Sequence, residues 1–344
     1  MSSDRTGPLR ATVDRLADLD GLPVAIDWAP GGSSVAVALG EGSLCIVDAH
    51  TGGTSVLEGH EQGMTSVAWN PRDPDLLATG GLDGMVRTWS PTHSAPVHEA
   101  ALSDIHWVQR VAWRPDGLTL AAISGTALVV LGNGEQLNRF DDHGSTLTDV
   151  GWHPRGRAIA VSHYGGITTW SPRHQDGAPR RFEWKGSSLR LAWSPDGRYV
   201  VTGDQDSTVH FWIMKNGKDL QMWGYPRKVQ ELSWDSVGRH LATGGGPEVI
   251  IWDCSGAGPA ETEPVMLEVD DTPLAALAFA PVGRLIAAAT DGGTLSMWHM
   301  ADASGSAVSA DLGGAATAMA WSPDGSRVAV GDATGGLTVA TVAR

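Results

Sequence analysis

Cysteine and long apolar runs are scarce in this sequence, and each scarcity excludes a class of protein. Only two cysteines, Cys45 and Cys254, occur in 344 residues. A disulfide-stapled secreted domain is therefore excluded, and we expect both thiols to pack in a core. No apolar run approaches the roughly 18 residues that a membrane-spanning helix needs. The N-terminus lacks the apolar centre of a signal peptide, so the sequence predicts a cytoplasmic protein.

Basic residues are also in short supply. Lys and Arg together number 24, against 39 Asp and Glu, and the formal net charge is −15. This balance disfavours polyanions, so we expect neither nucleic acid nor an anionic membrane as a main partner. Lysine supplies only four of the basic residues, and Gly and Ala are abundant. Such a composition is typical of a GC-rich bacterial genome.

The sequence motifs of common enzymes are absent. There is no Walker phosphate loop, no G-x-G-x-x-G after a predicted strand, and no G-x-S-x-G, H-E-x-x-H or paired C-x-x-C. Carboxylates are plentiful, but residues such as Asp83 and Asp206 stand where tight turns are expected. The sequence therefore predicts a protein that is not an enzyme and binds no cofactor.

A repeat of about 42 residues dominates the chain. Residues 59–89 contain one copy, with short strands predicted over 64–69, 76–80 and 85–89 and a tight turn at Asp83-Gly84. The first strand of each copy carries an aromatic residue at spacings of 39 to 45, at Trp28, Trp69, Trp113, Trp152, Trp193, Trp234, Phe279 and Trp321. A second series marks the third strand, at Trp89, Trp170, Trp212, Trp252 and Trp298. A three-stranded meander cannot bury both faces alone, so the copies must pack against one another.

The two interlocked series resemble the WD40-repeat family, whose period is about 40–45 residues. That resemblance implies a hydrogen-bonded tetrad in the second repeat, formed by His60, Thr79, Asp83 and Trp89. The fourth repeat keeps His143, Ser162 and Trp170 of this set, and the fifth keeps Thr202, Asp206 and Trp212. The resemblance further implies an all-β propeller of four-stranded blades whose usual work is to scaffold protein complexes.

Eight copies predict eight four-stranded blades. The alternative is seven, the commoner number in the family, which would require one terminal repeat to dock elsewhere. Residues 13–19 stand where an outer strand would precede Trp28, while the last repeat lacks an outer strand. We therefore expect 13–19 to pair with 337–343 and close the ring of a single domain spanning 1–344, with 1–10 as a flexible arm.

Aromatic residues that break the period predict a binding surface. Trp107, Trp184, Trp223 and Tyr225 lie in connections between an outer strand and the next first strand, and Tyr164 lies in a tight turn. In a propeller these loops share one face. Trp184 and Tyr225 have an alternative role, because both stand at the offset of the tetrad histidine. Exposed Trp and Tyr near Arg are typical of protein-binding hot spots. The predicted partner-binding residues, for a protein or peptide on this top face, are Trp107, Tyr164, Trp184, Trp223, Tyr225, Arg110, Arg190 and Arg227.

Charged residues stand three positions before the first-strand aromatic in four consecutive repeats, at Arg110, Asp149, Arg190 and Glu231. We expect them to form an ionic arc in the channel, either as a structural network or as a ligand site. The rival functional hypothesis is an enzyme or a metal-dependent small-molecule binder at the channel mouth. Its candidate metal ligands are His106 and His163.

Overall fold

The structure, a computed structural model, describes residues 9–172, 178–256, 258–260, 262–300 and 307–343. These ranges contain 30 β-strands and no α-helix, which confirms the all-β prediction. Consequently, no helix in them is long and apolar enough to cross a membrane. Most of the predicted arm, residues 1–8, lies outside the described residues.

Four strand positions recur along the chain, and each has its own place in the sheet. The innermost strands are β2 (Pro23–Trp28), β6 (Met64–Trp69), β10 (Val108–Trp113), β14 (Leu147–Trp152), the second part of β16 (Arg180–Trp193), β20 (Leu232–Trp234), β24 (Leu274–Phe279) and β28 (Ala316–Trp321). The second strands are β3 (Ser34–Leu39), β7 (Leu77–Gly81), β11 (Leu120–Ser124), the first part of β15 (Ile159–Trp170), β17 (Tyr199–Asp204), β21 (His240–Thr243), β25 (Leu285–Thr290) and β29 (Arg327–Asp332).

The remaining strands complete each repeat toward the rim. The third strands are β4 (Ser43–Asp48), β8 (Met85–Trp89), β12 (Ala127–Gly132), the second part of β15, β18 (Val209–Ile213), β22 (Glu248–Asp253), β26 (Thr294–His299) and β30 (Gly336–Val342). The outer strands are β5 (Thr54–Glu58), β9 (His98–Ala101), β13 (Glu135–Phe140), the first part of β16, β19 (Asp219–Met222), β23 (Val265–Glu268), β27 (Val308–Asp311) and β1 (Ala11–Asp18).

Hydrogen-bonded ladders join the described strands into seven sheets, six with four strands and one with six. The six-stranded sheet holds repeats four and five. β15 runs unbroken from the second into the third strand of repeat four, and β16 runs from its outer strand into the first strand of repeat five. Counted as sheets, the propeller has seven blades, the predicted alternative. All eight repeats nevertheless take part, since eight innermost strands contact one another in succession around the ring.

The N-terminal strand closes the ring. β1 pairs antiparallel with β30, from Ala11 opposite Val342 to Asp18 opposite Gly336, close to the predicted pairing. Arg15 on β1 also donates to the buried carboxylate of Asp332 at 3.1 Å. The last sheet thus takes its outer strand from the beginning of the chain, and its edge is covered.

The hydrophobic core lies between consecutive sheets. One cluster, for example, combines Ile123 and Phe140 of the third repeat with Trp152 and Trp170 of the fourth. Because neither sheet can bury these side chains by itself, each repeat depends on its neighbours. Cys45 and Cys254 are free and buried in such clusters, as predicted.

The first-strand tryptophans link neighbouring repeats by hydrogen bonds as well as by packing. In five repeats the indole N–H donates to the backbone carbonyl just before the first-strand aromatic of the preceding repeat. The bonds are Trp28 to Ala320 (2.9 Å), Trp113 to Ala68 (3.1 Å), Trp152 to Ala112 (2.9 Å), Trp193 to Gly151 (3.0 Å) and Trp321 to Ala278 (2.9 Å). Trp69 instead bonds Pro74 within its own repeat, and the buried indole nitrogen of Trp234 has no partner among the described residues.

Candidate functional site

The connections from outer to innermost strands lie against the tight turns between second and third strands. Leu147 N–H donates to Gly125 C=O at 2.8 Å, and Arg227 N–H donates to Gly245 C=O at 3.0 Å. The Ser145 hydroxyl donates to the Tyr164 carbonyl at 3.0 Å. These bonds join both kinds of loop into one surface, called here the top face, which contains the predicted aromatic sector.

Three of the predicted aromatics are exposed on the top face. The exposed fraction is 49% for Trp107, 61% for Tyr164 and 74% for Trp223. Side chains of this size are normally buried, so their exposure is informative. They belong to connections and a turn of repeats three, four and six.

Two exposed aliphatic residues on the top face were missed by the sequence reasoning. Ile105 is 82% exposed, and Leu82 is also exposed in the tight turn of the second repeat. The two loops touch, because a Cβ placed at Gly84 would collide with the carbonyl oxygen of Ser103. An aliphatic residue in a polar loop has no periodic signal, although Ile in the segment Ser103–His106 could have been noticed. Ile105 and Trp107 together form what we call the apolar patch, whereas the Leu82 side chain lies against Gly63 on the other side of its turn.

Tyr225 is not available to a partner. It is buried, and its hydroxyl lies 3.0 Å from Thr243 Oγ1 while accepting the indole N–H of Trp252 at 3.1 Å. It therefore occupies the position of the tetrad histidine in the sixth repeat, the alternative role considered for it. Its inclusion among the partner-binding residues is corrected on this ground.

Trp184 is half-buried rather than free. Its ring lies over His210, with the ring centroids 4.3 Å apart. Like Tyr225, it stands at the tetrad histidine offset, but it retains an accessible edge. Trp184 thus packs on a side chain of the fifth repeat and also lies at the border of the top face.

The tetrad of the second repeat is complete. His60 Nδ1 lies 2.8 Å from Asp83 Oδ1, and His60 Nε2 lies 2.8 Å from the hydroxyl of Thr79. Trp89 donates its indole N–H to the same hydroxyl at 2.9 Å. Arg87, which the sequence reasoning did not include, donates to Asp83 at 2.7 Å. Burial lowers the pKa of His60, which favours the neutral form of the ring.

The equivalent networks in the fourth and fifth repeats are shorter. In the fourth, His143 Nε2 accepts directly from the Trp170 indole at 2.9 Å, and Ser162 bonds Thr148 instead. In the fifth, Trp212 donates to Thr202 at 3.2 Å, while Asp206 is exposed and accepts from Thr208. The tetrad therefore links strands fully in only one of these three repeats.

The ionic arc assembles in the channel, but its members are not all paired. Arg110 Nε donates to Asp149 Oδ1 at 2.8 Å, across repeats three and four. Burial raises the pKa of Glu231, whose carboxylate accepts from the backbone N–H of Gln230 at 3.4 Å. The nearby guanidinium of Arg110 lowers the pKa of Arg190. Arg190 has no ion pair within the described part of the chain.

The remaining predicted residues lie apart from this arc. Arg227 is exposed in the connection that enters the sixth repeat. Both nitrogens of His163 have partners, the carbonyl of Tyr164 at 2.8 Å and the hydroxyl of Thr168 at 2.9 Å. His106 lies in another loop, against Gly125. Within the described ranges no group of three His, Cys, Asp or Glu side chains could hold a metal ion.

Comparisons with known proteins agree with this architecture. Residues 53–90 and 183–212 match the family model for the WD domain, G-beta repeat. The chain is 26% identical over 172 residues to WD repeat-containing protein AAC3 of Dictyostelium discoideum, covering 47% of this chain and 36% of that protein. It is 30% identical over 194 residues to Protein FIZZY-RELATED 3 of Arabidopsis thaliana (50% and 39%). It is 28% identical over 204 residues to Anaphase-promoting complex subunit cdc20 of Dictyostelium discoideum (54% and 39%).

The chain thus spans less than two thirds of the length of each of these relatives. Among solved structures, the crystal structure of the computationally designed Ika8 protein superposes with a TM-score of 0.78 at 18% sequence identity. The superposition covers 95% of this chain and 99% of that one. At this identity the likeness concerns the fold alone.

Proposed function

Because the chain is a WD40-repeat β-propeller, we propose that it is a non-catalytic scaffold that binds a peptide or protein partner on its top face. The observation that carries the proposal is the exposure of Trp107, Tyr164 and Trp223 on that face. Large aromatic side chains cost little conformational entropy on binding and bury much area, so they anchor interfaces.

The distribution of charge supports a polypeptide partner. The apolar patch, Ile105 and Trp107, immediately precedes the innermost strand that carries Arg110, and Arg227 is exposed on the same face. An apolar centre with a charged surround is the usual anatomy of a protein interface. The net charge of −15 is unfavourable for nucleic acid, which supports a protein in this role.

Similarity to relatives points the same way. One relative is named as a subunit of the anaphase-promoting complex, and so acts within an assembly. A scaffold role for this chain requires no catalytic group, and the sequence carries none of the enzyme motifs considered above. No observation on His106 or His163 favours the rival metal-dependent function.

The experiment is capture of a partner from the native host, followed by affinity measurement with two variants. Trp107→Ala and Trp223→Ala should each weaken binding by about 2 kcal/mol or more, roughly 30-fold, if they are hot spots. The matched control is Val237→Ala, because Val237 is as exposed as Trp223 but lies in a bend on the opposite face. Wild-type affinity in both Trp variants, with unchanged melting temperatures, would contradict the proposal.

A further inference from the structure

Arg190 is a charged side chain in the channel that forms no direct ion pair within the described residues. It is the third residue of the part of β16 that lines the channel, which begins at Ser188 opposite Asp204. The pKa of this guanidinium is lowered by Arg110 and raised by Asp149 and Glu231, which belong to three other repeats. The channel part of β16 lies between the innermost strands β14 and β20, and Arg190 stands near its start, so it lies on the channel wall at the end near the top face.

Both acids of the ionic arc are already engaged. Asp149 Oδ1 accepts from Arg110 at 2.8 Å and from its neighbour Val150 N–H at 3.0 Å, and Oδ2 accepts from Leu191 N–H at 3.0 Å. Glu231 is turned toward the backbone of its own repeat, next to Gly244. Neither carboxylate lies within 4.0 Å of Arg190, so Asp149 forms an ion pair with Arg110 alone.

Outside the ionic arc, no repeat places an acidic residue at the position that corresponds to Arg190. The four remaining repeats place Ala25, Ser66, Ala276 and Ala318 at the corresponding position. A half-buried cation with no partner is costly, because a protein interior solvates charge poorly. A carboxylate brought in by a ligand would remove this cost, and Arg can bind it through two parallel hydrogen bonds.

We propose that Arg190, with Arg110 beside it, binds a carboxylate side chain of the peptide partner, an Asp or Glu that enters the channel mouth from the top face. The inference rests on the proposed function, since the same peptide contacts the apolar patch. It adds to the proposed function the kind of peptide side chain that is recognised at one position. An acidic residue in the peptide pairs with Arg190, while apolar residues of the peptide cover Ile105 and Trp107.

The test begins with random linear peptides displayed on phage and selected on the full-length protein. Peptides whose binding is lost in Trp107→Ala are kept and synthesised with amidated C-termini, so that only side-chain carboxylates remain. These peptides should share an Asp or Glu. Changing it to Asn or Gln should weaken binding about tenfold or more, because a charge-assisted bidentate bond is lost.

The protein side gives the matching result. Arg190→Gln should weaken the binding of the acidic peptides by about the same factor. This variant should bind each acidic peptide and its amide version equally well. Arg190→Lys should restore part of the affinity. Arg157→Gln, at an exposed position in a bend on the opposite face, is the control for a general change of charge. If Arg190→Gln does not fold, the comparison of acidic and amide peptides decides alone.

The outcomes separate the two proposals. Trp107-dependent peptides that lack an acidic residue, or that bind equally well as amides, would overturn the carboxylate site and leave the top-face function standing. A selection that yields no Trp107-dependent peptide would overturn both. Peptides that bind only with a free C-terminal carboxylate would overturn the side-chain assignment.

Discussion

Asp204, at the end of a second strand in repeat five, is fully buried. Burial raises the pKa of its carboxyl to about 8, although hydrogen bonds from neighbouring hydroxyls oppose this. An unfolded chain releases this proton near pH 4. The folded protein therefore binds a proton that the unfolded chain has lost between about pH 4 and pH 8. In that window the free energy of unfolding falls as the pH rises.

Replacing Asp204 by Asn should remove this pH dependence while keeping the shape of the side chain. Urea titrations at about pH 5 and about pH 8 measure it. The wild type should lose stability relative to Asp204→Asn by up to about 1.4 kcal/mol per pH unit. Parallel stability curves for the two proteins would show that this carboxyl does not titrate in the window.

The tetrad of the second repeat gives a second residue-scale prediction. His60→Ala would leave Asp83 and Thr79 without their shared partner, and the cost should be about 1–3 kcal/mol in the free energy of unfolding. Exposed His50 is the control, since it contributes only a backbone N–H to Asp48. His50→Ala should stay within about 0.5 kcal/mol of the wild type. Equal stabilities for the two variants would mean that the tetrad contributes nothing.

Residue spacing predicts which positions are equivalent among the repeats. It does not predict whether a residue that replaces the usual one points into the core or toward the surface. The offset of nine residues before Trp69 gave His60 its role in the tetrad. The same reasoning left Tyr225 with two possible roles, on the surface or in the core. The structure decides through Gly245, where an added Cβ would meet the Tyr225 ring at 3.2 Å. A repeat pattern does not show that the space for the Tyr225 ring depends on a glycine 20 residues further along the chain.

At the scale of the element, the indole bonds between repeats can be tested with matched variants. Trp152→Phe removes the N–H that Ala112 C=O accepts, at a cost of about 1 kcal/mol. Trp234→Phe removes a buried N–H that has no partner in the described structure. That variant should be neutral or slightly more stable in thermal unfolding, because a desolvated donor is eliminated. A larger loss in Trp234→Phe than in Trp152→Phe would refute the role of these bonds.

Strand positions follow from the sequence more readily than sheet boundaries. The strands predicted at 64–69, 76–80 and 85–89 lie at Met64–Trp69, Leu77–Gly81 and Met85–Trp89. The joining of repeats four and five was not predicted. The turn there, Tyr164-Gly165-Gly166, has no Asp, and its two glycines adopt φ of +106° and +113°. Tyr164 pairs with Ser187 across it, so the ladder continues where other repeats interrupt it.

At the scale of the molecule, closure by β1 should account for a large share of stability. Val13 packs on the core between the last two sheets, and Leu16 packs on the core between the last sheet and the first. Removing residues 1–20 would expose both cores and the edge of β30, at a cost of several kcal/mol. The melting temperature should fall clearly. A shorter deletion that stops before Ala11 leaves β1 whole and is the control, and equal melting temperatures for the two truncations would contradict this role.

The same closure has a consequence for how the protein is made. β1 leaves the ribosome before its partner β30, which follows more than 300 residues later, since Ala11 pairs with Val342. At synthesis rates of about 5–20 residues per second, that interval lasts roughly 15 to 65 seconds. Bringing segments so distant together costs on the order of 5 kcal/mol in chain entropy, a cost that falls once the intervening repeats have stacked. Until then the apolar side chains of β1, such as Val13 and Leu16, have no neighbours. The nascent chain therefore exposes an unpaired strand, a suitable target for a chaperone.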